Sequence, residues 1–135
     1  MAFPGPLLAP STWRTVGLGL TTTVFSLGVL SIVAPVTAAD SLGVVPTTPE
    51  GYTMAQKATT FLGIRDLAVG GALYWFYYEG KQREMGILLT MWTTVCVVDT
   101  WVAIDGPRGW DKGIWGLCGG ALLIAIGGLG LLQSA

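Results

Sequence analysis

The sequence predicts an all-α protein, a bundle of four transmembrane helices in which chain neighbours run antiparallel. Hydrophobic residues make up 52% of its 135 residues and charged residues only 11%, whereas about a quarter of the residues in a soluble domain are charged. The apolar residues fall into four segments, each close to the roughly 20 residues that cross a bilayer. No stretch resembles an interdomain linker, so we expect a single membrane-embedded domain over residues 1–135.

The first predicted helix covers residues 13–38. The small residues of "APVTAAD" near its end resemble a signal-peptide cleavage site. However, its apolar stretch is longer than the roughly 7–15 residues of a typical signal core, and only Arg14 precedes it. We therefore expect a helix that is retained. The segment "PVTAADSLGVVPTTPEG", residues 35–51, contains three prolines and predicts a loop.

Three further helices are predicted, joined by short polar turns. The second, residues 53–78, and the third, residues 85–104, are joined by "EGKQRE", and the fourth, residues 113–132, follows the turn "DGPRGWDKG". Turns this short place consecutive helices side by side and antiparallel. Lys and Arg are nearly balanced between the two sides, and the slightly denser charge of "EGKQRE" favours cytoplasmic N- and C-termini.

The glycines of the fourth predicted helix indicate close helix packing. In "GLCGG", Gly116 and Gly120 have the four-residue spacing of small residues that lets a neighbouring helix approach closely. We expect that neighbour to belong to the same chain, and the alternative is a homo-oligomer formed through this helix. The aromatic run "YWFYY" and Trp13, Trp101 and Trp110 are typical of side chains that lie at the level of the lipid headgroups.

The composition excludes several functional classes. The chain has no histidine, which rules out His-based catalytic triads and His metal ligands. A net charge of −1 without a cluster of Lys and Arg excludes a nucleic-acid partner, because such binding depends on concentrated positive charge. Cys96 and Cys118 lack the spacing of a zinc site or a redox motif, and we interpret both as small core residues. No cofactor and no metal site is predicted.

Three ionisable side chains within the predicted membrane segments are the main functional candidates. Arg65 and Asp66 lie in the middle of the second segment, in "FLGIRDLAVGG", and Asp99 lies late in the third, in "CVVDTW". Charges at this depth are costly, so they point to a structural or chemical role. Neighbouring residues on a helix point about 100° apart, so Arg65 and Asp66 are not expected to form a close pair. We expect Arg65 to pair with Asp99 across the hairpin.

Two acids and one base leave one negative charge without a counter-charge. One carboxyl group is then expected to be largely protonated, unless Lys57 reaches in or hydrogen bonds compensate. A neutral acid beside an ionised carboxylate suits general acid/base catalysis, in which Asp66 or Asp99 moves the proton and Arg65 holds a carbonyl, enolate or carboxylate. The alternative is a structural clamp, in which Arg65 locks two helices together and Asp66 bonds to backbone.

Four further residues are candidates for lining a substrate cavity. Glu50 and Tyr52, in "TPEGYT", precede the second helix on the side of the membrane toward which Asp99 is displaced, and Trp115 begins the fourth helix on that side. Trp92 lies in the third helix, where an aromatic ring shields developing positive charge. The simpler interpretation of Glu50 is an acid favoured by the helix dipole. For Tyr52 and Trp115 it is anchoring at the membrane interface.

Several of these stretches resemble one known family. The blocks "APVTAADSLGVVP", "GIRDLAVG" and "YEGKQREMGILL", followed by Asp99 late in the third helix, are similar to the DUF4267-type family of small four-helix membrane proteins of bacteria and filamentous fungi. The resemblance covers residues 16–132. Many members of that family carry a histidine near the start of helix four, where this chain has "KGIWG" with Trp115. The resemblance therefore supplies no histidine for proton transfer here.

The family's function is uncharacterised, but its fungal members often accompany polyketide or terpenoid pathway genes, which implies a lipophilic metabolite as partner, within a lipid membrane. We expect a small integral-membrane enzyme, or enzyme-like pathway component, that cyclises, isomerises or dehydrates such a metabolite by acid/base chemistry. The alternatives are a non-catalytic binding or scaffold protein with an Arg–Asp clamp, a cofactor-free oxygenase of a polyketide, and an ion or proton conductor. The expected location is the endoplasmic reticulum membrane if the chain is fungal, or the inner membrane if it is bacterial.

Overall fold

The computed structural model describes residues 8–135, and this part of the chain is α-helical with no strand. The all-α class is therefore confirmed. Residues 1–7, which the predicted domain includes, lie outside the described residues. Within the described range there are five helices: α1 Pro10–Val33, α2 Pro35–Ser41, α3 Pro49–Tyr78, α4 Gln82–Ile104 and α5 Lys112–Ser134.

Three of these helices, α1, α4 and α5, are long and apolar enough to cross a membrane. Helix α3 is the longest at 30 residues, but it is not among the three, because Arg65 and Asp66 in its middle lower its mean hydropathy. The expectation of helices long and apolar enough to cross a membrane is confirmed for α1, α4 and α5.

The first predicted helix, residues 13–38, is divided in two. Helix α1 ends at Val33, and Pro35 begins the separate seven-residue helix α2. Proline has no N–H to continue the ladder and disfavours helical backbone in the residue before it. Ala34 accordingly leaves the helical region, with φ −132° and ψ 64°. The predicted loop of residues 35–51 therefore begins with a short helix.

Local signals set the other helix starts. Pro49 occupies the first position of α3, where the Thr48 hydroxyl accepts a hydrogen bond from the Gly51 N–H at 3.1 Å. The Asp111 carboxylate caps α5 in the same way, accepting from the Ile114 N–H at 3.1 Å. Both are common N-terminal caps. Gly80 has a φ of +69°, which a residue with a side chain rarely adopts, and it allows α3 and α4 to be joined by only three residues.

The bundle contains two tight helix pairs. Helix α1 crosses α3 where Gly28 meets Gly63, and a Cβ added at Gly28 would lie 2.8 Å from the Leu67 backbone nitrogen. Helix α4 crosses α5 in the same manner, since a Cβ added at Gly86 would lie 3.0 Å from the Gly128 carbonyl oxygen. Small residues allow this backbone contact. By contrast, α3 and α4 pack only loosely against each other.

The hydrophobic core lies mainly toward the end of the bundle that carries the α3–α4 turn. Trp13 is buried there, only 5% exposed, because Gly130 leaves space for its ring. Trp13 therefore contributes to the core, whereas Trp101 and Trp110 are exposed. The core consists of Trp13, Val24, Leu73, Met85, Leu89, Trp92, Ile124 and Leu131.

The glycines expected to pack α5 within the chain are not the ones that do so. A Cβ added at Gly116 or at Gly120 would meet no atom of the described residues within 4 Å. The close contacts of α5 instead involve Gly127, Gly128 and Gly130. The reason is that α5 is buried mainly through its C-terminal half, so the earlier glycines face no neighbour among residues 8–135.

Candidate functional site

Arg65 of α3 reaches across to Asp99 of α4 and forms a two-pronged ion pair. Its Nη2 donates to Oδ2 of Asp99 at 2.7 Å, and its Nη1 donates to Oδ1 at 3.3 Å. This arrangement uses the planar fork of the guanidinium and both carboxylate oxygens. The pairing expected from the sequence is thus present, and it bridges two helices that otherwise pack loosely.

Asp66 also contacts Arg65, although the sequence argument did not expect neighbouring residues to meet. Arg65 Nε lies 3.4 Å from Asp66 Oδ1, and Nη2 donates to the same oxygen at 3.5 Å. Both distances are long for a charged hydrogen bond, and Nε itself donates no hydrogen bond within the described residues. The flexible arginine stem turns the guanidinium back toward its neighbour, so Asp66 is its weaker partner.

Trp92 completes this group from α4. The Arg65 guanidinium carbon lies 5.1 Å from the centre of the Trp92 ring, within the range of a cation–π contact, and Trp92 is only 8% exposed. Trp92, Cys96 and Asp99 are spaced by four and three residues, which places them on one face of a helix. We call the group formed by Arg65, Asp66, Trp92 and Asp99 the α3–α4 seam.

The α3–α4 seam holds one cation and two acids. Ion pairs in the described part of the chain join Arg65 to Asp66 and Asp99, Lys81 to Glu79, and Arg108 to Asp40. Lys57 is exposed and forms none of them, so it does not supply the missing positive charge. The charge imbalance expected from the sequence is therefore present in the geometry.

The two acids differ in how they are held. Both oxygens of Asp99 accept hydrogen bonds from Arg65, whereas Oδ2 of Asp66 accepts none from residues 8–135. The side chains of Arg65 and Asp99 are about a third exposed, at 33% and 34%, and that of Asp66 is 17% exposed. The seam therefore contains an acid with one oxygen to which no described residue donates, next to an Arg–Asp pair joined by two hydrogen bonds.

Comparison with known proteins gives a family and no activity. A family model described as a domain of unknown function, DUF4267, matches residues 13–131. The chain belongs to the DUF4267 family. No curated protein matches the chain, and no solved structure does. The functional argument for this DUF4267 protein therefore rests on the geometry of its own residues.

Three of the predicted cavity residues of this DUF4267 chain lie away from the α3–α4 seam. Glu50 is in the first turn of α3, and Tyr52 lies 14 residues before Asp66, which is about 21 Å along a helix. Trp115 is 67% exposed, and its ring lies 5.4 Å from that of Trp110. The structure brings only Trp92, among the four predicted cavity residues, to the three charges.

Tyr52 instead lines a separate cavity of about 290 Å³ at the α2 end of the DUF4267 bundle. Beside it, Arg108 donates to Asp40 Oδ1 at 2.5 Å and to the Asp40 carbonyl oxygen at 3.1 Å. These bonds tie α2 to the turn between α4 and α5, a role for Arg108 that the sequence analysis missed. The cavity is lined by Val36, Thr37, Asp40, Val44, Val45, Pro46 and Tyr52.

Proposed function

We propose that this DUF4267 protein is a small membrane enzyme, or an enzyme-like component of a biosynthetic pathway. It acts on a lipophilic metabolite of the polyketide or terpenoid type by acid/base chemistry at the α3–α4 seam. The observation that carries the proposal is the free oxygen of Asp66 beside the Arg65–Asp99 pair. Two carboxyl groups in unequal surroundings are suited to opposite roles in proton transfer.

The proposal includes α3 as a fourth span, antiparallel to its chain neighbours. At 30 residues α3 is about 45 Å long, more than the roughly 30 Å of the hydrocarbon core. It packs along α1, one of the three apolar helices, through Gly28 and Gly63. Charged residues inside a membrane generally face the bundle rather than the lipid, and Arg65 points to α4. The membrane would be the endoplasmic reticulum of a fungus or the inner membrane of a bacterium.

The seam residues supply each part of an isomerisation. The Asp66 carboxylate takes a proton from the carbon next to a carbonyl group of the ligand, and the carbonyl oxygen gains the negative charge of an enolate. Arg65, held in place by Asp99, stabilises that charge. Where a carbon–carbon double bond of the ligand is conjugated with the enolate, the protonated Asp66 returns the proton to the far carbon of that double bond, so the double bond moves and the carboxylate is restored. In a cyclisation, the enolate carbon instead attacks a second carbonyl group of the ligand, and Asp66 returns the proton to the alkoxide that forms.

The test compares metabolites made by cells that express the wild-type chain, Asp66→Asn or Asp105→Asn. Asp105 is an exposed acid in the α4–α5 turn, and Asp105→Asn is the matched control. We expect all three chains to accumulate in the membrane, and Asp66→Asn alone to accumulate the unconverted precursor, which also identifies the reaction. Equal metabolite profiles from Asp66→Asn and the wild type would rule out the acid/base proposal.

A second candidate is a non-catalytic scaffold in which the Arg65–Asp99 pair is a clamp. It is supported by the position of this pair between two loosely packed helices. The clamp predicts loss of folded protein in Arg65→Gln, together with an unchanged metabolite profile in Asp66→Asn. The two candidates therefore differ in the result for Asp66.

The remaining alternatives receive less support. A proton or ion conductor needs a chain of free polar groups, but several threonine hydroxyls in the helices donate to carbonyl groups one turn earlier in their own helix. A cofactor-free oxygenase would use the same seam, and its product would be an oxidised polyketide in the same metabolite comparison. The threonines that donate in this way include Thr21, Thr22, Thr23, Thr60 and Thr93.

A further inference from the structure

Of the two acids in the α3–α4 seam, Asp66 is the one that Arg65 compensates less. The Arg65 fork occupies both oxygens of Asp99 at 2.7 and 3.3 Å. Asp66 receives only the longer contacts, at 3.4 and 3.5 Å and to one oxygen. Because Coulomb energy falls with distance, the guanidinium compensates Asp99 better than Asp66. No second cation of the described residues pairs with Asp66.

The positions around Asp66 are apolar rather than basic. Leu62 precedes it by four residues and Val69 follows it by three, on the same face of α3. On α4, Val95 is partly buried against the core beside Trp92. A ligand placed in the seam would therefore meet apolar side chains and a carboxylate oxygen to which no described residue donates. Outside bulk water, that oxygen strongly favours a positive group and repels a negative one.

We infer that the α3–α4 seam recognises lipophilic ligands bearing a single positive charge, such as an organic ammonium, through the free oxygen of Asp66. The inference rests on the proposed function, since it names the class of ligand that the same site accepts. Ligands that already carry a negative charge are disfavoured, because they meet the Asp66 carboxylate before it has taken up a proton. An enolate formed by the proposed reaction is not repelled in this way, because Asp66 is then protonated.

The test uses two rigid ions of similar size and opposite charge, tetraphenylphosphonium and tetraphenylborate. Their binding to the purified full chain in dodecyl maltoside is measured by equilibrium dialysis and corrected with protein-free micelles. We expect the wild type to bind the cation at least tenfold more tightly than the anion. Asp66→Asn is expected to lose at least tenfold in cation affinity, and Asp105→Asn to bind as the wild type does.

Equal binding of both ions by the wild type, or unchanged cation binding by Asp66→Asn, would overturn the inference. The preference of the wild type for one ion needs no variant, so it remains informative if Asp66→Asn fails to fold. The outcome is also distinct from that of the metabolite comparison. If cells with Asp66→Asn accumulate the precursor but the wild-type chain does not prefer the cation, only this inference is ruled out. If cation binding depends on Asp66 but the metabolites of Asp66→Asn are unchanged, only the proposed acid/base reaction is ruled out.

Discussion

The α1–α3 crossing and the α3–α4 seam show two ways in which this chain joins helices. At the crossing, Gly28 and Gly63 bring backbone against backbone, so close that a Cβ at Gly63 would lie 2.9 Å from the Gly28 carbonyl oxygen. At the seam, the backbones stay apart and the Arg65 and Asp99 side chains bridge the gap at 2.7 Å. At the crossing the two helices are in backbone contact, whereas at the seam they are joined through side chains.

This difference assigns different tasks to the two regions. Dispersion between closely packed atoms stabilises the glycine crossings, and it depends on shape alone. The seam depends on charge, and its Arg65 and Asp99 side chains remain about a third exposed. The crossings thus hold the helices together by close packing, whereas the seam joins α3 to α4 through ionisable groups.

The largest expected effect is that of adding a side chain at a glycine crossing. Gly28→Val places its Cβ 2.8 Å from the Leu67 nitrogen and 3.0 Å from the Gly63 carbonyl oxygen, and backbone atoms cannot move aside as a flexible side chain does. We expect the free energy of unfolding to fall by about 3 kcal/mol, the upper part of the usual range for overpacking. Titration with sodium dodecyl sulfate, followed by circular dichroism, measures it.

Gly19→Val is the matched control for this change. Gly19 lies on the same helix, and a Cβ added there meets no atom of the described residues within 4 Å. The free energy of unfolding of Gly19→Val should therefore match that of the wild type. If both variants lose stability equally, the cost comes from placing valine in α1 and not from the crossing. The close backbone contact would then not account for the stability of the α1–α3 pair.

The next largest loss of stability is expected at the seam, and it should differ between substitutions at Arg65 and at Asp99. Arg65→Gln leaves two carboxylates without a cation, and we expect it to cost about 2 kcal/mol, less than a fully buried pair because the groups are partly exposed. Asp99→Asn leaves Arg65 with Asp66 and should cost about 1 kcal/mol. The double variant should cost about 1 kcal/mol less than the sum of the two.

The same detergent titration measures all three variants. Additive costs would show that Arg65 and Asp99 do not stabilise each other, in spite of their geometry. A larger cost for Asp99→Asn than for Arg65→Gln would mean that Asp66 does not serve as the second partner of the guanidinium.

A smaller effect is expected from the aromatic side of the seam. Trp92→Phe weakens the contact of the ring with Arg65, 5.1 Å away, and we expect a loss of about 1 kcal/mol. Trp115→Phe changes an exposed tryptophan and should leave stability unchanged. Equal losses in the two variants would indicate that the Arg65 contact adds nothing to ordinary tryptophan packing.

The seam was largely predictable from the sequence, because charges in apolar helices have few available partners. Arg65 had only two acids at a comparable depth, and its pairing with Asp99 followed from helix rise and side-chain reach. The contact with Asp66 was missed, because the direction of a Cβ does not limit where a long arginine stem places its guanidinium.

The glycine crossings were not predictable in this way. Gly28 and Gly63 are far apart in sequence and become partners only when α1 lies on α3. The spacing of Gly116 and Gly120 was the stronger local signal, yet a Cβ added at either would meet no described atom within 4 Å. The burial of Trp13 was not predicted either, since the space for its ring beside Gly130 depends on a helix at the other end of the chain.

The smallest effect is expected at the other short ion pair, in the turn between α3 and α4. Lys81 Nζ lies 2.5 Å from Glu79 Oε2, closer than the 2.7 Å of the seam pair, but both side chains are exposed and water screens their attraction. The hydrogen bond to Glu79 raises the pKa of Lys81 above its usual value.

A raised lysine pKa stabilises the fold at pH values below the usual lysine pKa, and the effect is lost as pH rises through the raised value. Glu79→Gln should lower the pKa of Lys81, measured by NMR titration. Because both side chains are exposed and water screens their attraction, the stabilisation lost with this pair should be too small to shift the thermal midpoint at pH 7. Raising the salt concentration to about 1 M should likewise have no effect on that midpoint. If Glu79→Gln costs as much stability as Asp99→Asn, then distance and not burial decides the strength of these pairs, and the seam is no different from the turn.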